Sequence, residues 1–265
     1  MVSPYLKNKG SAVRFCLWPQ MLLDLKSLSK KYSINPSGVI HIGAHTGEEI
    51  ALYEELFNKD IEIHLFEPQK KLFKILTDKY YDTKNINLYK YACGEETGEL
   101  TMHISSNEGA SSSILEPKLH LEIHPDVEFN NKEVVQVEQL DKFKIHNSDF
   151  LNVDVQGYEL NVLKGGEETL SRINFIVLEI NRDEVYKDVP LVEEIDSFLK
   201  GHNFLRVSTK YAYDTLPWGD ALYVKKDLLT KKHILYGYIK KYIYKRKAFY
   251  MSYIWIRKSV WNFFK

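Results

Sequence analysis

Residues 149–166 constrain the fold of this chain more than any other stretch. They read Asp-Phe-Leu-Asn-Val-Asp-Val-Gln-Gly-Tyr-Glu-Leu-Asn-Val-Leu-Lys-Gly-Gly. The apolar run from Phe150 to Val153 has the pattern of a buried strand, and an acid, Asp154, ends it. Gln156-Gly157 supplies a tight turn. Glu159 opens a helix-like segment that stops at Gly165-Gly166. A strand that ends in an acid and turns into a helix marks the edge where open α/β sheets place their ligands.

Two other strand ends carry related chemistry. Upstream, Val39 to Ile42 runs into the glycine turn Gly43-Ala44-His45-Thr46-Gly47. Between the two, Ile61 to Phe66 ends in Glu67-Pro68. Three such ends in this order point to a nucleoside-containing cofactor.

The rest of the chain alternates strands with helices. Gln20–Lys31 has apolar residues at helical spacing and forms an N-terminal helix ended by Asn35-Pro36-Ser37-Gly38. Helices follow at Glu48–Phe57, Gln69–Tyr80 and Leu191–Lys200. Strands follow at Ile86–Tyr91, which ends at Ala92-Cys93-Gly94, and at Phe175–Ile180, which ends near Glu179. Leu100–Ile104 and Glu133–Val137 are extra strands, and Phe204–Ser208 with Ala221–Val224 closes the sheet as a late hairpin. This alternation predicts a mostly parallel sheet covered on both faces. The polar connection 105–131 is long enough to be a functional lid or a surface excursion.

With 265 residues the chain is one large domain, or one domain with appendages. Two cysteines, Cys16 and Cys93, cannot build a disulfide framework, which favours a reducing, cytoplasmic compartment. The apolar stretch Phe15 to Pro19 is too short for a secretory leader, and no apolar run is long enough to span a membrane. The net charge of zero hides an asymmetry. From Lys225 to Lys265 there are twelve Lys and Arg against one acid, Asp227, so the remainder of the chain carries a balancing negative excess.

The chemistry of each strand end can be weighed separately. The turn Gly43 to Gly47 lets backbone approach a ligand closely. The N–H groups of the following helix, near Glu48, could receive an anionic group. The spacing is neither Gly-x-Gly-x-x-Gly nor a P-loop, which disfavours a dinucleotide or a triphosphate. Glu67 stands where nucleotide-binding α/β folds put the acid that holds ribose hydroxyls, and Pro68 fixes the chain after it. Ala92 and Cys93 are small enough to line a base pocket, with Cys93 more a packed hydrophobe than a nucleophile.

These pieces together resemble the FkbM type of class I S-adenosylmethionine-dependent methyltransferase. The matching segments are Val39–Gly47, His64–Pro68, Asn87–Gly94, Asp154–Gly165 and the closing strand Trp218–Val224. The resemblance covers residues 36–226 and is most specific at Asp154–Gly165. It implies an α/β fold: a Rossmann-like, seven-stranded, mostly parallel sheet with helices on both faces and its last strand antiparallel. To this the chain adds an N-terminal helical extension, 1–35, and a basic, aromatic helical tail, 227–265. The resemblance also implies S-adenosyl-L-methionine as cofactor and methyl transfer to a hydroxyl, mainly of sugars, glycolipids or natural products. Carried over, Gly43, Ala44, His45, Thr46 and Gly47 would hold the methionine part, Glu67 and Pro68 the ribose side, and Ala92 and Cys93 the adenine. His41 departs from the family, which often has an acid there near the cofactor amino group.

A base must take the hydroxyl proton during transfer. Asp154 is the first candidate, and it could instead bind the cofactor amino group. Glu159 and Glu179 come next, though Glu159 could equally satisfy a helix N-terminus and Glu179 could pair with Arg182 or a lysine. His45, His124 and His202 complete the set. The acids could hold a divalent metal, but no ligand spacing demands one.

The tail repeats apolar residues at helical spacing, from Leu235 through Tyr242 and Tyr253 to Phe264, among many lysines and arginines. Such a helix suits an anionic membrane interface, here the inner face, where it would reach a lipid-linked sugar or glycan acceptor. It could equally pack on the acidic body or on a second subunit, as a homo-oligomer. Nucleic-acid binding is the weaker reading. Two other function classes stay open. A nicotinamide-dependent sugar oxidoreductase would also use Glu67 for ribose, but the Asp154 segment argues against it. A non-catalytic cofactor-binding module would explain His41.

Overall fold

The structure is a computed structural model that describes residues 21–213 and 216–235. Most of the basic tail, and the chain before residue 21, lie outside the described residues.

Seven strands build the main sheet. They are β1 (Gly38–Ile42), β2 (Glu62–Phe66), β3 (Ile86–Tyr89), β7 (Phe150–Val153), β8 (Phe175–Asn181), β9 (Phe204–Tyr211) and β10 (Trp218–Lys225). Their spatial order is β3-β2-β1-β7-β8-β10-β9. All neighbours pair in parallel except β10, which is antiparallel to both β8 and β9. The order reverses between β1 and β7. The chain leaves β1 toward β2 on one side and leaves β7 toward β8 on the other, so a crevice opens at their carboxyl ends.

The central strands are buried on both faces, as their near-continuous apolar runs require. Alternation sends Ile40, Ile42, Leu151, Val153, Ile176 and Leu178 into one core layer. That layer is covered by α5 (Glu159–Lys164), α6 (Glu167–Arg172) and α7 (Val192–Gly201). Val39, Phe150, Val177 and Leu222 enter the opposite layer, under α1 (Leu25–Tyr32), α2 (Ile50–Leu56) and α3 (Lys70–Tyr80). The start of the tail joins this second layer: Leu229 and Ile234 pack against the same cluster as Leu23 and Leu25. His233 meets the ring of Tyr32 with centroids 5.1 Å apart.

The fold agrees with the α/β, seven-stranded expectation and differs in three local ways. First, α1 starts at Leu25 rather than before it, because Asp24 caps it by accepting the N–H of Ser27. Second, α2 starts at Ile50. His45 and Gly47 have φ of 48° and 75°, so the chain turns through left-handed backbone before it can wind. Third, Ala92–Cys93 does not end β3. It forms β4 of a separate three-stranded sheet, between which and β5 (Gly98–Ile104) lies β6 (Asn131–Glu138). Ala92 pairs with Val137 and Cys93 with Glu138, and burial of Ala92, Met102, Val135 and Val137 gives this sheet its own small core.

The 105–131 connection is no loose excursion. Ser105, Ser111, Ser112 and Ser113 are all buried, and a short helix, α4 (Leu119–Ile123), buries His120. Among the described residues no helix is long and apolar enough to cross a membrane.

Candidate active site

The two strand ends at the switch point touch. A Cβ placed on Gly43, where φ is +84°, would lie 1.8 Å from the carbonyl oxygen of Asp154. Only glycine allows β1 and β7 to close at this point. A cleft follows, lined by Gly43, His45, Glu67, Pro68 and Asp154 from the main sheet and by Ala92 and Cys93 from β4. Burial pushes the Cys93 thiol far up, so it is a packed side chain and not a nucleophile.

The glycine turn does not present free donors. Phe66 O accepts both the Gly43 and Ala44 N–H groups, and Ala44 O accepts that of Gly47. The His45 N–H goes to Glu67 Oε2 at 3.0 Å and the Thr46 N–H to Glu48 Oε2 at 3.2 Å. The anion-receiving helix start expected from sequence is therefore corrected: the loop's own Glu48 takes that place. Burial works against the Glu48 carboxylate, but hydrogen bonds from His45 and Thr46 outweigh it and hold its pKa at about 2. Ala44 is fully buried in the core, and Gly47 faces Ile50, Leu76 and Tyr80. Ala44, Thr46 and Gly47 shape the loop from behind, while Gly43 and His45 face the cleft.

Glu67 is 3% exposed. Its Oε2 accepts from His45, and its Oε1 accepts the Gln69 N–H at 2.9 Å. Each oxygen keeps a lone pair for a further donor, the requirement for gripping two vicinal hydroxyls. Burial raises its pKa to about 7, against the lowering effect of those N–H donors.

Asp154 is exposed to the cleft. Its Oδ1 accepts from Gln156 Nε2 at 2.7 Å. Although open to the cleft, its charge is disfavoured by the protein mass around it, which raises its pKa. The same Gln156 nitrogen donates to Glu179 Oε2 at 2.9 Å, so one amide ties the two carboxylates together. Glu159 is buried, and its Oε1 accepts the N–H groups of Val155 and Gly157 at 3.1 and 3.0 Å. It closes the turn that carries Asp154. Oxygens of Asp154, Glu159 and Glu179 lie within 4.8 Å of one another. Burial raises the pKa of Glu159 to about 7 and that of Glu179 well above its ordinary value, and Asp154 adds to both shifts.

The remaining candidates are placed elsewhere. His41 is 2% exposed and lies beneath the loop. Asn152 Nδ2 is 3.2 Å from its Nε2 and donates to Tyr53 OH at 2.8 Å. Burial lowers the His41 pKa to about 4, so it is neutral. His124 packs on Trp218 with ring centroids 5.3 Å apart. His202 follows α7 and lies 3.6 Å from Glu167. It sits just before β9 begins, at the end of the sheet opposite the cleft, which removes it as a base.

Four contributors were not singled out from sequence. Gln156 bridges two acids and accepts from Tyr186 OH at 3.0 Å. Gln69 donates to Gly109 O at 3.3 Å and accepts from Ser112 Oγ at 3.3 Å, which latches the 105–113 turn over Glu67. Asp220 faces Glu179 across the β8–β10 ladder and accepts the Leu22 N–H at 2.5 Å. Glu49 joins the acid group, and burial raises its pKa and that of Asp220 to about 7. The only signal for Asp220 was its place at the start of the closing strand.

The sequence profile of the methyltransferase FkbM domain matches residues 41–206, more than half of the chain. The chain belongs to the FkbM methyltransferase family. Within 169 residues it is 27% identical to 2-O-methyltransferase NoeI of Sinorhizobium fredii (strain NBRC 101917 / NGR234), a match over 60% of this chain and 69% of that one. The crystal structure of methyltransferase FkbM from Methylobacillus flagellatus KT is similar at 16% identity and a TM-score of 0.49, over 71% of this chain. This chain spans only 43% of that protein's length. Magnesium protoporphyrin IX methyltransferase from Synechocystis PCC 6803, solved with bound SAM, is similar at 10% identity and a TM-score of 0.43, over 75% and 74% of the two chains.

The cofactor of this FkbM family member is S-adenosylmethionine, and the cleft fits it. The Gly43 contact leaves backbone bare of side chain at the switch point, Glu67 is ready for two hydroxyls, and Ala92 and Cys93 leave room for a planar base. The acids around Asp154 match a cationic sulfonium and ammonium.

Glu67 makes the first test. Glu67→Gln keeps the shape but turns one acceptor into a donor that faces the His45 N–H. S-adenosylhomocysteine should bind about ten- to a hundredfold more weakly, the worth of a charge-assisted hydrogen bond. Cofactor binding needs the ionised carboxylate, whose pKa is about 7 in the free protein. Wild-type affinity should therefore fall as pH drops through 7, and the variant should show a flatter profile. Titration calorimetry between pH 5.5 and 8.5 reads both, and identical profiles would remove Glu67 from the ribose.

Proposed function

We propose that this chain is an O-methyltransferase that acts on a hydroxyl of a sugar or glycan. The observation that carries the reading is Asp154: a cleft-facing carboxylate at the switch point, hydrogen-bonded through one oxygen only. When bound, S-adenosylmethionine supplies a methyl group already activated on a sulfonium. The protein's work is alignment and removal of one proton. Glu67 anchors the ribose end, and the bare backbone at Gly43 admits the methionine end. Asp154 Oδ2 takes the proton of the acceptor hydroxyl. Gln156 holds Asp154 in place from Oδ1, and Glu159 fixes the turn behind it. Ser112 and Gln69 hold the 105–113 turn over the cleft and limit water entry.

The family resemblance and the name of the Sinorhizobium relative, a 2-O-methyltransferase, support the choice of oxygen acceptor. Sugar acceptors follow from the resemblance and from the amides and hydroxyls that surround the cleft. The nicotinamide oxidoreductase reading drops out with the family assignment. His41 no longer favours a non-catalytic module, because its ring packs on Tyr53 and Asn152 outside the cleft lining.

The test is transfer of labelled methyl from S-adenosylmethionine to a panel of nucleotide sugars, free glycans and lipid-linked sugars. Base-stable label on one acceptor supports the reading. Label only on amine or carboxylate acceptors would refute oxygen-directed sugar methylation.

A further inference from the structure

The acids beside the cleft exceed what a cofactor with one sulfonium and one ammonium needs. Asp154, Glu159, Glu179, Asp220 and Glu49 stand close enough to raise one another's proton affinity. None of the five forms an ion pair with a described residue. Buried charges are normally paired or bound to metal.

The oxygens of three of them are arranged for sharing. Asp154, Glu159 and Glu179 each bring an oxygen within 4.8 Å of the other two. Oxygens bound to one Ca2+ at about 2.4 Å lie within about 4.8 Å of each other, and those around Mg2+ lie slightly closer. Each carboxylate has one oxygen committed to protein donors: Asp154 Oδ1 and Glu179 Oε2 to Gln156, Glu159 Oε1 to the turn N–H groups. The second oxygen of each has no such bond.

Asn181 gives an independent sign. It is 1% exposed, and neither its Oδ1 nor its Nδ2 has a hydrogen-bond partner. A buried amide with both ends unmet costs about 1–3 kcal/mol, and native structures rarely tolerate it without a ligand or water. Asn181 follows Glu179 by two residues in an unbroken ladder with β10, opposite Trp218 as Glu179 is opposite Asp220. Both side chains leave the sheet on the same face, so the amide lies one pleat beyond Glu179 on the face that carries the acid group.

We propose that Asp154, Glu159 and Glu179 form a binding site for one hard divalent cation, with Asn181 as a further oxygen donor, direct or through water. The all-oxygen donor set selects Mg2+, Mn2+ or Ca2+ over zinc. The inference builds on the methyltransferase reading: Asp154 opens to the cofactor cleft, and of the two lone pairs on its Oδ2 one meets the ion while the other takes the proton of an acceptor hydroxyl held beside it.

Chelator-treated full-length protein is titrated with Mn2+, and the electron paramagnetic resonance signal of the free ion reports occupancy. One ion should bind per chain, and Mg2+ or Ca2+ should displace it. Glu179→Gln should weaken binding at least about tenfold, as loss of even an outer partner does. Asn181→Ala, a smaller change to the core, should weaken it as well, with circular dichroism as the check on folding. No saturable Mn2+ binding, or unchanged affinity in both variants, overturns the site. S-adenosylhomocysteine titrated into the same preparation keeps the two readings apart. Cofactor binding without Mn2+ binding rejects the ion site alone, and loss of both rejects the methyltransferase reading of the cleft too.

Discussion

Asp154→Asn should lower the rate of methyl transfer by about 10²–10⁴-fold, the range for loss of a positioned general base. Asparagine keeps an oxygen for Gln156 Nε2, now 2.7 Å from Oδ1, so the turn should hold. S-adenosylhomocysteine affinity should change by less than about threefold. Rate and affinity falling together would make Asp154 a cofactor ligand. The pH profile carries a second signature. The base must be ionised, and the surrounding protein, by disfavouring its charge, raises its pKa from the ordinary aspartate value. The wild-type rate should therefore go on climbing as pH rises past that ordinary value before it levels. In the variant that limb should vanish.

Gly43→Ala should damage stability and function together. The added carbon would lie 1.8 Å from the Asp154 carbonyl oxygen, and the residue has a φ of +84° that alanine resists. Neither partner can step aside, because Gly43 N–H is held by Phe66 O and Asp154 N–H by Ile42 O. A loss of about 3–5 kcal/mol is expected, in the range of severe core strain. For a domain of this size it lowers the melting temperature by roughly 6–20 °C. Gly201→Ala serves as the control, since a Cβ there meets nothing within 4 Å. It should leave stability unchanged or slightly higher. A Gly43→Ala protein with wild-type stability and cofactor affinity would disprove the close contact as a requirement.

What sequence could reveal here depended on how local the cause was. The apolar runs of β1, β2, β7 and β8, and the acids or glycines that end them, are local signals, and they located the switch point. Helix starts were less legible. Asp24 and Glu48 each bind nearby backbone N–H groups, and whether a side chain does so is decided only when the turn has formed. The departure of Ala92–Cys93 into a second sheet depends on Val137 and Glu138, more than forty residues away. The acid group was half visible. Asp154 and Glu159 share a motif, but Glu49 and Asp220 reach it through α2 and an antiparallel strand pairing that no short pattern encodes. The serines of 105–113 look like surface residues by composition. They are buried because Gln69, Gln156 and Tyr186 offer them partners.

The packing of Leu229 and Ile234 with Leu23 and Leu25 has a practical meaning. The ring contact of His233 with Tyr32 and this shared cluster put α1 and the start of the tail on one side of the body. A domain joined directly at residue 21 and one joined directly at residue 235 would crowd the same face. Joining residues 21 and 235 by a short linker and opening the chain at an exposed turn would give a circular permutant whose sheet, cleft and acid group keep their neighbours.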